Sequence, residues 1–207
     1  MKYASSQSGF TLVETLVAIT ILLIVMIGPM TISSQTAKSS TFASEQVTAF
    51  FLAQEGVELA QKARDDLLVR SFASNAIASE LTPWATFTNT SAGQYSHCYD
   101  AVEGCGLEIL IHNGLGGNDI STPIDCGSLA AAKPQVCHLW YAPSNVRSKF
   151  THTASGNTQT PFNRRIYLTR VNADEVLVRS VVTWQSGNIR NEQRVEVESR
   201  LFNLYGS

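Results

Sequence analysis

Charge is scarce in this chain. Asp, Glu, Lys and Arg supply 15% of its 207 residues and nearly cancel, leaving −2 at pH 7. A nucleic-acid platform needs a strongly basic face, and that balance provides none. Catalytic patterns are equally thin. The four histidines lie in unrelated contexts, and neither Gly-x-Ser-x-Gly nor His-Glu-x-x-His occurs. Gly114-Leu115-Gly116-Gly117 is followed by no Gly-Lys-Ser/Thr and opens no helical pattern, so it reads as a turn rather than a phosphate loop. No catalytic residue, cofactor or metal ligand is assigned, and the chain reads as a non-enzyme.

What it does have is one long apolar run. A polar leader, residues 1–9, has Lys2 as its only charged side chain and ends at Gly9; the run begins at Phe10 and carries a single acid, Glu14. Residues 16–30 are interrupted only by Thr20, Gly28 and Pro29, and Ile32 extends them. With residues 10–13 included, the length approaches the ~20 residues that cross a bilayer. A carboxylate inside such a segment costs roughly 2.5–3.5 kcal/mol near mid-helix on insertion scales, so its presence implies a partner. A plain secretory signal would be cut after its apolar core, here within residues 30–37. An unprocessed signal anchor is the other ordinary reading.

The order Gly9-Phe10-Thr11-Leu12-Val13-Glu14, with the apolar run behind it, resembles the processing and assembly signal of type IV prepilins and type II secretion pseudopilins. That register decides against both ordinary readings. The resemblance implies that a prepilin peptidase cuts between Gly9 and Phe10, that Phe10 becomes the N-methylated terminus, and that the apolar segment stays on the mature protein. It also implies a single-pass precursor in the inner membrane, in contact with lipid. From there an ATPase-driven assembly platform moves it into an extracytoplasmic filament of pilin or pseudopilin subunits. Phe10 and Glu14 then form the assembly salt bridge. An α-amino group titrates near ~8, and opposite unit charges ~4 Å apart attract by roughly 4 kcal/mol at an effective dielectric of ~20, which matches the insertion penalty. Pairing within one chain and pairing with a neighbour displaced by about one turn both remain open. Leu52-Ala53-Gln54-Glu55 and Val181-Val182-Thr183-Trp184 look most like the minor pilin V type or the I-type pseudopilin. The rival from another class is a membrane-anchored or secreted adhesin that does not polymerise.

Residues 10–32 are thus expected to be the transmembrane and assembly helix, with a kink at Gly28-Pro29 because proline cannot donate to the carbonyl of Val25. Residues 33–79 are expected to continue as an amphipathic helix. Ala43, Val47, Phe50, Ala53, Val57, Ala60, Ala63 and Leu67 recur at steps of three and four, near the ~3.6-residue period. Gly56 interrupts this helix at a cost of about 1 kcal/mol relative to Ala, which only close packing would explain. Residues 80–207 read as a β-rich head. Within it, residues 82–162 are loop-rich, with strand-like islands at 107–111 and 136–141. Residues 166–171, 176–184 and 194–202 alternate apolar and polar positions, as half-buried antiparallel strands do. The expected class is α+β: a long N-terminal helix packed on a C-terminal antiparallel sheet, as in type IV pilins.

The four cysteines, Cys98, Cys105, Cys126 and Cys137, all follow the apolar run, as disulfides in an oxidising compartment would. Pairing Cys98 with Cys105 and Cys126 with Cys137 closes two short loops. His97 and His138 flank two of them and raise a metal alternative, but the spacings lack the tight steps of zinc motifs. Asn118, Asp119 and Asp125 offer oxygens for calcium without EF-hand spacing. Asn89-Thr90-Ser91 is a formal glycosylation sequon. Arg164, Arg165, Arg170 and Arg179 could form a small basic patch, against which Glu192, Glu196 and Glu198 argue for ordinary strand-surface ion pairs.

Overall fold

A computed structural model describes residues 9, 11–73, 82–110, 119–120, 123–127, 137–143, 149–187 and 191–204. The chain divides into two compact units, Met1–Ser44 and Glu45–Ser207. The first is the apolar start of helix α1 (Leu12–Ala73). Its large side chains from Leu12 to Ile32 are exposed, and it contains the one helix, among the described residues, long and apolar enough to cross a membrane, with a mean hydropathy of 2.4 over 18 residues. Pro29 lies inside the helix, so α1 does not end at Ile27. The Thr31 hydroxyl donates to the carbonyls of Gly28 (2.8 Å) and Ile27 (3.3 Å). It therefore serves the carbonyls after the one that proline deprives, that of Val25.

The second unit packs the later part of α1 on a sheet. After α1 come helix α2 (Pro83–Phe87), a 3-10 turn at Ser96–Tyr99, and strands β1 (Cys105–Gly106), β2 (Ile109–Leu110), β3 (Asp119–Ile120), β4 (Ile124–Asp125), β5 (His138–Ala142), β6 (Lys149–Thr151), β7 (Thr158–Asn172), β8 (Glu175–Trp184) and β9 (Gln193–Phe202). Among the described residues, seven strands make one antiparallel sheet and β2–β3 a separate ribbon. β7 is its hub. One edge pairs with β8 along most of its length, and β8 pairs with β9. The other edge is shared: β5 takes the first half and β1 meets Ile166.

β7 starts eight residues before the expected 166. Its first half, Thr158-Gln159-Thr160-Pro161-Phe162-Asn163, is polar and contains a proline, which demotes a strand reading. The proline is tolerated because it lies opposite a register shift in β5, between His138 and Trp140, and before the β7–β8 ladder begins at Phe162. α2 also went unread, although Thr82 caps it by accepting from Ala85 N (3.2 Å) and Pro83 takes the first helical position.

The buried face of α1 follows the expected stripe at Ala53, Val57, Ala60 and Ala63 and departs from it before Ala53. Val47 and Phe50 are 56% and 49% exposed, while Ala49, Leu52, Ala53, Gly56, Val57, Leu59, Ala60 and Ala63 are buried. The row that meets the sheet is rich in small residues, so the helix approaches closely. A Cβ on Gly56 would lie 2.2 Å from Ser180 Oγ and 3.2 Å from Arg164 Cδ, which accounts for the glycine.

Strand alternation then sets the core. Phe162, Arg164, Ile166 and Leu168 of β7 and Val176, Val178, Ser180, Val182 and Trp184 of β8 face the helix. Two apolar clusters result. Ala49, Leu52 and Ala53 pack with Leu139, Phe162, Val182 and Trp184. Val57, Leu59, Ala60 and Ala63 pack with Trp84, Phe87, Ile166, Leu168, Val176, Val178 and Leu201. At the sequence positions between them stand Glu55, Gly56, Arg164 and Ser180. Arg164 is fully buried, donating to Glu55 (2.7 Å) and to the carbonyls of Leu52 (3.2 Å) and Leu107 (3.0 Å). It therefore belongs to no surface patch with Arg165 and Arg179, which point to the opposite face.

Candidate assembly site

Helix α1 begins at the residues singled out for assembly. Thr11 is its cap: its Oγ1 accepts from Glu14 N at 3.3 Å, and its carbonyl accepts from Thr15 N at 3.2 Å. Thr-x-x-Glu before an apolar run is the signature of a capping box, in which the glutamate would reach back to the cap residue's own N–H. Only half of the box is closed. The Glu14 carboxylate makes no ion pair or hydrogen bond among the described residues. It sits in the first helical turn, where the helix dipole favours negative charge. The pattern was readable in the sequence, where only the acid and its cost were noted. Gly9 is exposed with open space around it, and Phe10 lies outside the described residues.

This arrangement can present a bare carboxylate, on a rigid helix, at the edge of a surface that is apolar all round. A carboxylate so placed can take up a cation. Residues 4–28 match the family model of the prokaryotic N-terminal methylation motif.

The chain carries a prepilin-type N-terminus.

That motif is the hallmark of type IV prepilin- and pseudopilin-like proteins, and with the exposed apolar helix it fits a membrane-anchored, pilin-like precursor. The match covers residues 4–28 and leaves the head of the pilin-like chain unmatched. No curated protein and no solved structure matches it.

The head brings together some of the residues singled out and separates others. Leu52, Ala53 and Glu55 meet Val182 and Trp184 through the smaller core cluster and the Arg164 contacts, so the two short motifs share one region. Cys98 is bonded to Cys105 (Cα–Cα 4.6 Å) and Cys126 to Cys137 (5.3 Å). Inside the first loop, Asp100 Oδ1 accepts from Val102 N and Glu103 N, both at 2.8 Å, and these bonds hold its carboxyl below the usual carboxylate range. His97 Nδ1 stands 3.6 Å from Asp125. Among the described residues no group of three or more His, Cys, Asp or Glu gathers as a metal site. Asp119 lies in the β2–β3 ribbon and Asp125 in the main sheet; Asn118 and Gly114–Gly117 lie outside the described residues. The Asn89 side-chain oxygen is engaged by Ser91 N and Ala92 N, both at 3.1 Å.

A buried polar cluster that the sequence reading missed lies beside the second disulfide. Glu108 accepts from the Thr151 hydroxyl and from His152 N (2.8 Å). The His152 Nδ1 is 3.3 Å from the His138 carbonyl. Burial, aided by the charge of Arg164 and opposed by Glu108, pushes the His152 imidazole down to about 4. Gly106 leaves room for it, since a Cβ there would fall 2.9 Å from His152 Nε2 and 3.2 Å from Cys137 Sγ.

Proposed function

We propose that the chain is a non-enzymatic, minor subunit of a type IV pilus or type II secretion pseudopilus. In this reading a prepilin peptidase cuts after Gly9, Phe10 becomes the methylated terminus, and Glu14 receives the terminal amine of a subunit in the filament. Residues 1–9 are the leader, 10–32 the membrane and assembly segment, 33–79 the helix that carries the head, and 80–207 the head. Gly28-Pro29 serves as a flexible joint. The inner-membrane platform and other pilin-like subunits are the partners.

The supporting observation is the Glu14 carboxylate within the matched motif, unpartnered among the described residues. It lies in the first turn of an apolar segment in which a mid-helix charge would cost roughly 2.5–3.5 kcal/mol on insertion. Two measurements test the reading. Mass spectrometry of the mature protein is expected to give a chain starting at Phe10, one methyl group heavier than the unmodified sequence. A mass including Met1, or a start beyond Met30, would remove the prepilin reading. Glu14→Ala is expected to insert into the membrane normally and to disappear from sheared filaments; incorporation at the wild-type level would sink the salt-bridge role.

A further inference from the structure

Among the described residues the last strand of the sheet has a neighbour on one side only. β9 pairs with β8 through all ten of its residues without a register shift, and no strand lies along its other edge. The phase of that open edge follows from two bonds. Asn203 N donates to the carbonyl of Asp174 (2.9 Å), so residue 203 turns its main-chain groups towards the β8 side. Bonded and non-bonded pairs alternate in an antiparallel ladder, so Arg194, Glu196, Glu198, Arg200 and Phe202 turn their N–H and C=O groups outward. Arg64 fits the same phase, since it donates to the outward Phe202 carbonyl at 3.3 Å. It covers that one group. The N–H and C=O groups of Arg194, Glu196, Glu198 and Arg200 have no partner among the described residues.

Edges of this kind are normally blunted by proline, lysine, a bulge or an inward-pointing charge. β9 has none of them, and its helix-facing row is Gln193, Val195, Val197, Ser199 and Leu201. Val195 and Val197 are half-buried, whereas Val182 and Ser180, opposite them on β8, are fully buried. Cover on the helix-facing side thins out at β9, where a further apolar row would deepen it. On the outer row, Glu196 pairs with Arg194 and lies 3.6 Å from Arg179, and Arg200 pairs with Glu175. Glu198 stands opposite Arg179 in the register, but that guanidinium leans away over the Tyr167 ring, 4.8 Å from its centre. The Glu198 carboxylate is exposed and makes no ion pair or hydrogen bond among the described residues.

We propose that the open edge of β9 accepts an extended segment of a different polypeptide as a further antiparallel strand. Strand addition of this type takes its affinity from main-chain bonds and its specificity from alternate side chains. The partner is an alternating segment, apolar where it passes Val195, Val197 and Leu201 and basic where it passes Glu198. A second copy of the chain fits poorly. The two registers that pair β9 with itself over nearly its full length set Glu196 against Glu198, or Glu198 against itself. Like charges directly opposite each other repel. The other edge strands of the sheet, β4 and β6, span two and three residues, too short to take up β9.

The test is fluorescence anisotropy of end-blocked, fluorescein-labelled peptides with the full chain in detergent micelles. The parent peptide is Thr-Val-Thr-Val-Lys-Val-Thr-Val-Thr. One relative has Glu in place of Lys, and another is N-methylated at the Lys and Thr residues, whose N–H groups would face β9. The Lys peptide is expected to bind saturably below about 1 mM, the Glu peptide about fivefold more weakly, and the N-methylated peptide not at all. In Glu198→Lys, an exposed substitution, the preference is expected to reverse towards the Glu peptide. Should that variant lose the wild-type circular dichroism spectrum, Glu198→Gln carries the same test, with the Lys and Glu peptides expected to bind alike. An N-methylated peptide that binds as tightly as its parent would overturn the proposal, because side-chain adhesion alone would then suffice. So would the lack of saturable binding by the Lys peptide below about 1 mM, or an unchanged preference in the folded variant. A wild-type dimer in sedimentation that the Lys peptide dissociates would overturn the assignment to a different chain.

Discussion

Replacing Gly56 with alanine sets two effects of known size against each other. Alanine is favoured over glycine by about 1 kcal/mol in a helix interior, so on propensity alone Gly56→Ala stabilises. The structure opposes this. The new methyl would fall 2.2 Å from Ser180 Oγ, 3.1 Å from Ser180 Cβ and 3.2 Å from Arg164 Cδ. Ser180 is fully buried on the helix-facing row of β8, so its hydroxyl has no open direction in which to turn. Overpacking of this kind costs about 1–3 kcal/mol, which leaves a net loss of roughly 0–2 kcal/mol after the propensity gain. Ser180→Ala by itself is expected to be neutral or slightly stabilising, because Ser180 Oγ has no hydrogen-bond partner to lose. In the double variant the shortest contact vanishes, and the two changes are expected to couple favourably by about 1 kcal/mol or more. The assay is denaturant unfolding of the full chain in detergent. Its reporter is the fluorescence of Trp84 and Trp184, which are buried in the two apolar clusters. A Gly56→Ala protein more stable than wild type, or a coupling energy near zero, would refute the close-approach argument.

Two further outcomes follow from the buried polar groups. Glu55 is 38% exposed at its side chain and Arg164 not at all, so the two halves of their ion pair are unequal. Glu55→Gln strands a buried cation and is expected to cost about 3–5 kcal/mol, whereas Arg164→Met leaves a carboxylate that can turn to water and is expected to cost less; the reverse order in denaturant midpoints would contradict the assigned geometry. For His152, the ordinary value of 6.5 falls to about 4 in the folded chain. The unfolded chain therefore binds the proton first, and its contribution is fully present above pH 6.5 and lost as pH falls towards 4. The total is roughly 3 kcal/mol. Melting temperatures measured across that range should fall more steeply for wild type than for His152→Gln, and parallel profiles would show that the imidazole is not the cause.

The legible and illegible parts of this chain separate along physical lines. Regular alternation in β8 and β9, where apolar and charged residues take turns, transmits directly to burial, and those strands lie where the pattern puts them to within a residue or two. The class, a long helix on an antiparallel sheet, followed from that alternation and the apolar run. The start of the buried helix face did not. Ala53, Val57, Ala60 and Ala63 lie on the expected stripe, but Val47 and Phe50, also read onto it, are exposed, and Ala49, Leu52 and Gly56 are buried instead. Arg164 read as surface charge because nothing in a single sequence announces that Glu55, 109 residues earlier, will face it. Near the N-terminus the difficulty was different: Thr11 and Glu14 carried a readable cap, while the acid was read for its cost in lipid and its pairing with Phe10.

Arg164 has a further consequence for how the sheet chooses its alignment. Alternation forbids β7 to slide along its neighbours by one residue, since that would turn every side chain to the wrong face. It is silent about a slide of two. Phe162, Ile166 and Leu168 would each still point at the helix, among apolar neighbours. The guanidinium would not be so accommodating. Moved by two residues, it would lose Glu55 and the carbonyls of Leu52 and Leu107 and stand among aliphatic groups, where an uncompensated charge is worth several kcal/mol of penalty. A single polar rung thus indexes the ladder. It also sets where Asn163 and Arg165 emerge on the other side, so the alignment of the outer face is dictated by a residue that never reaches it.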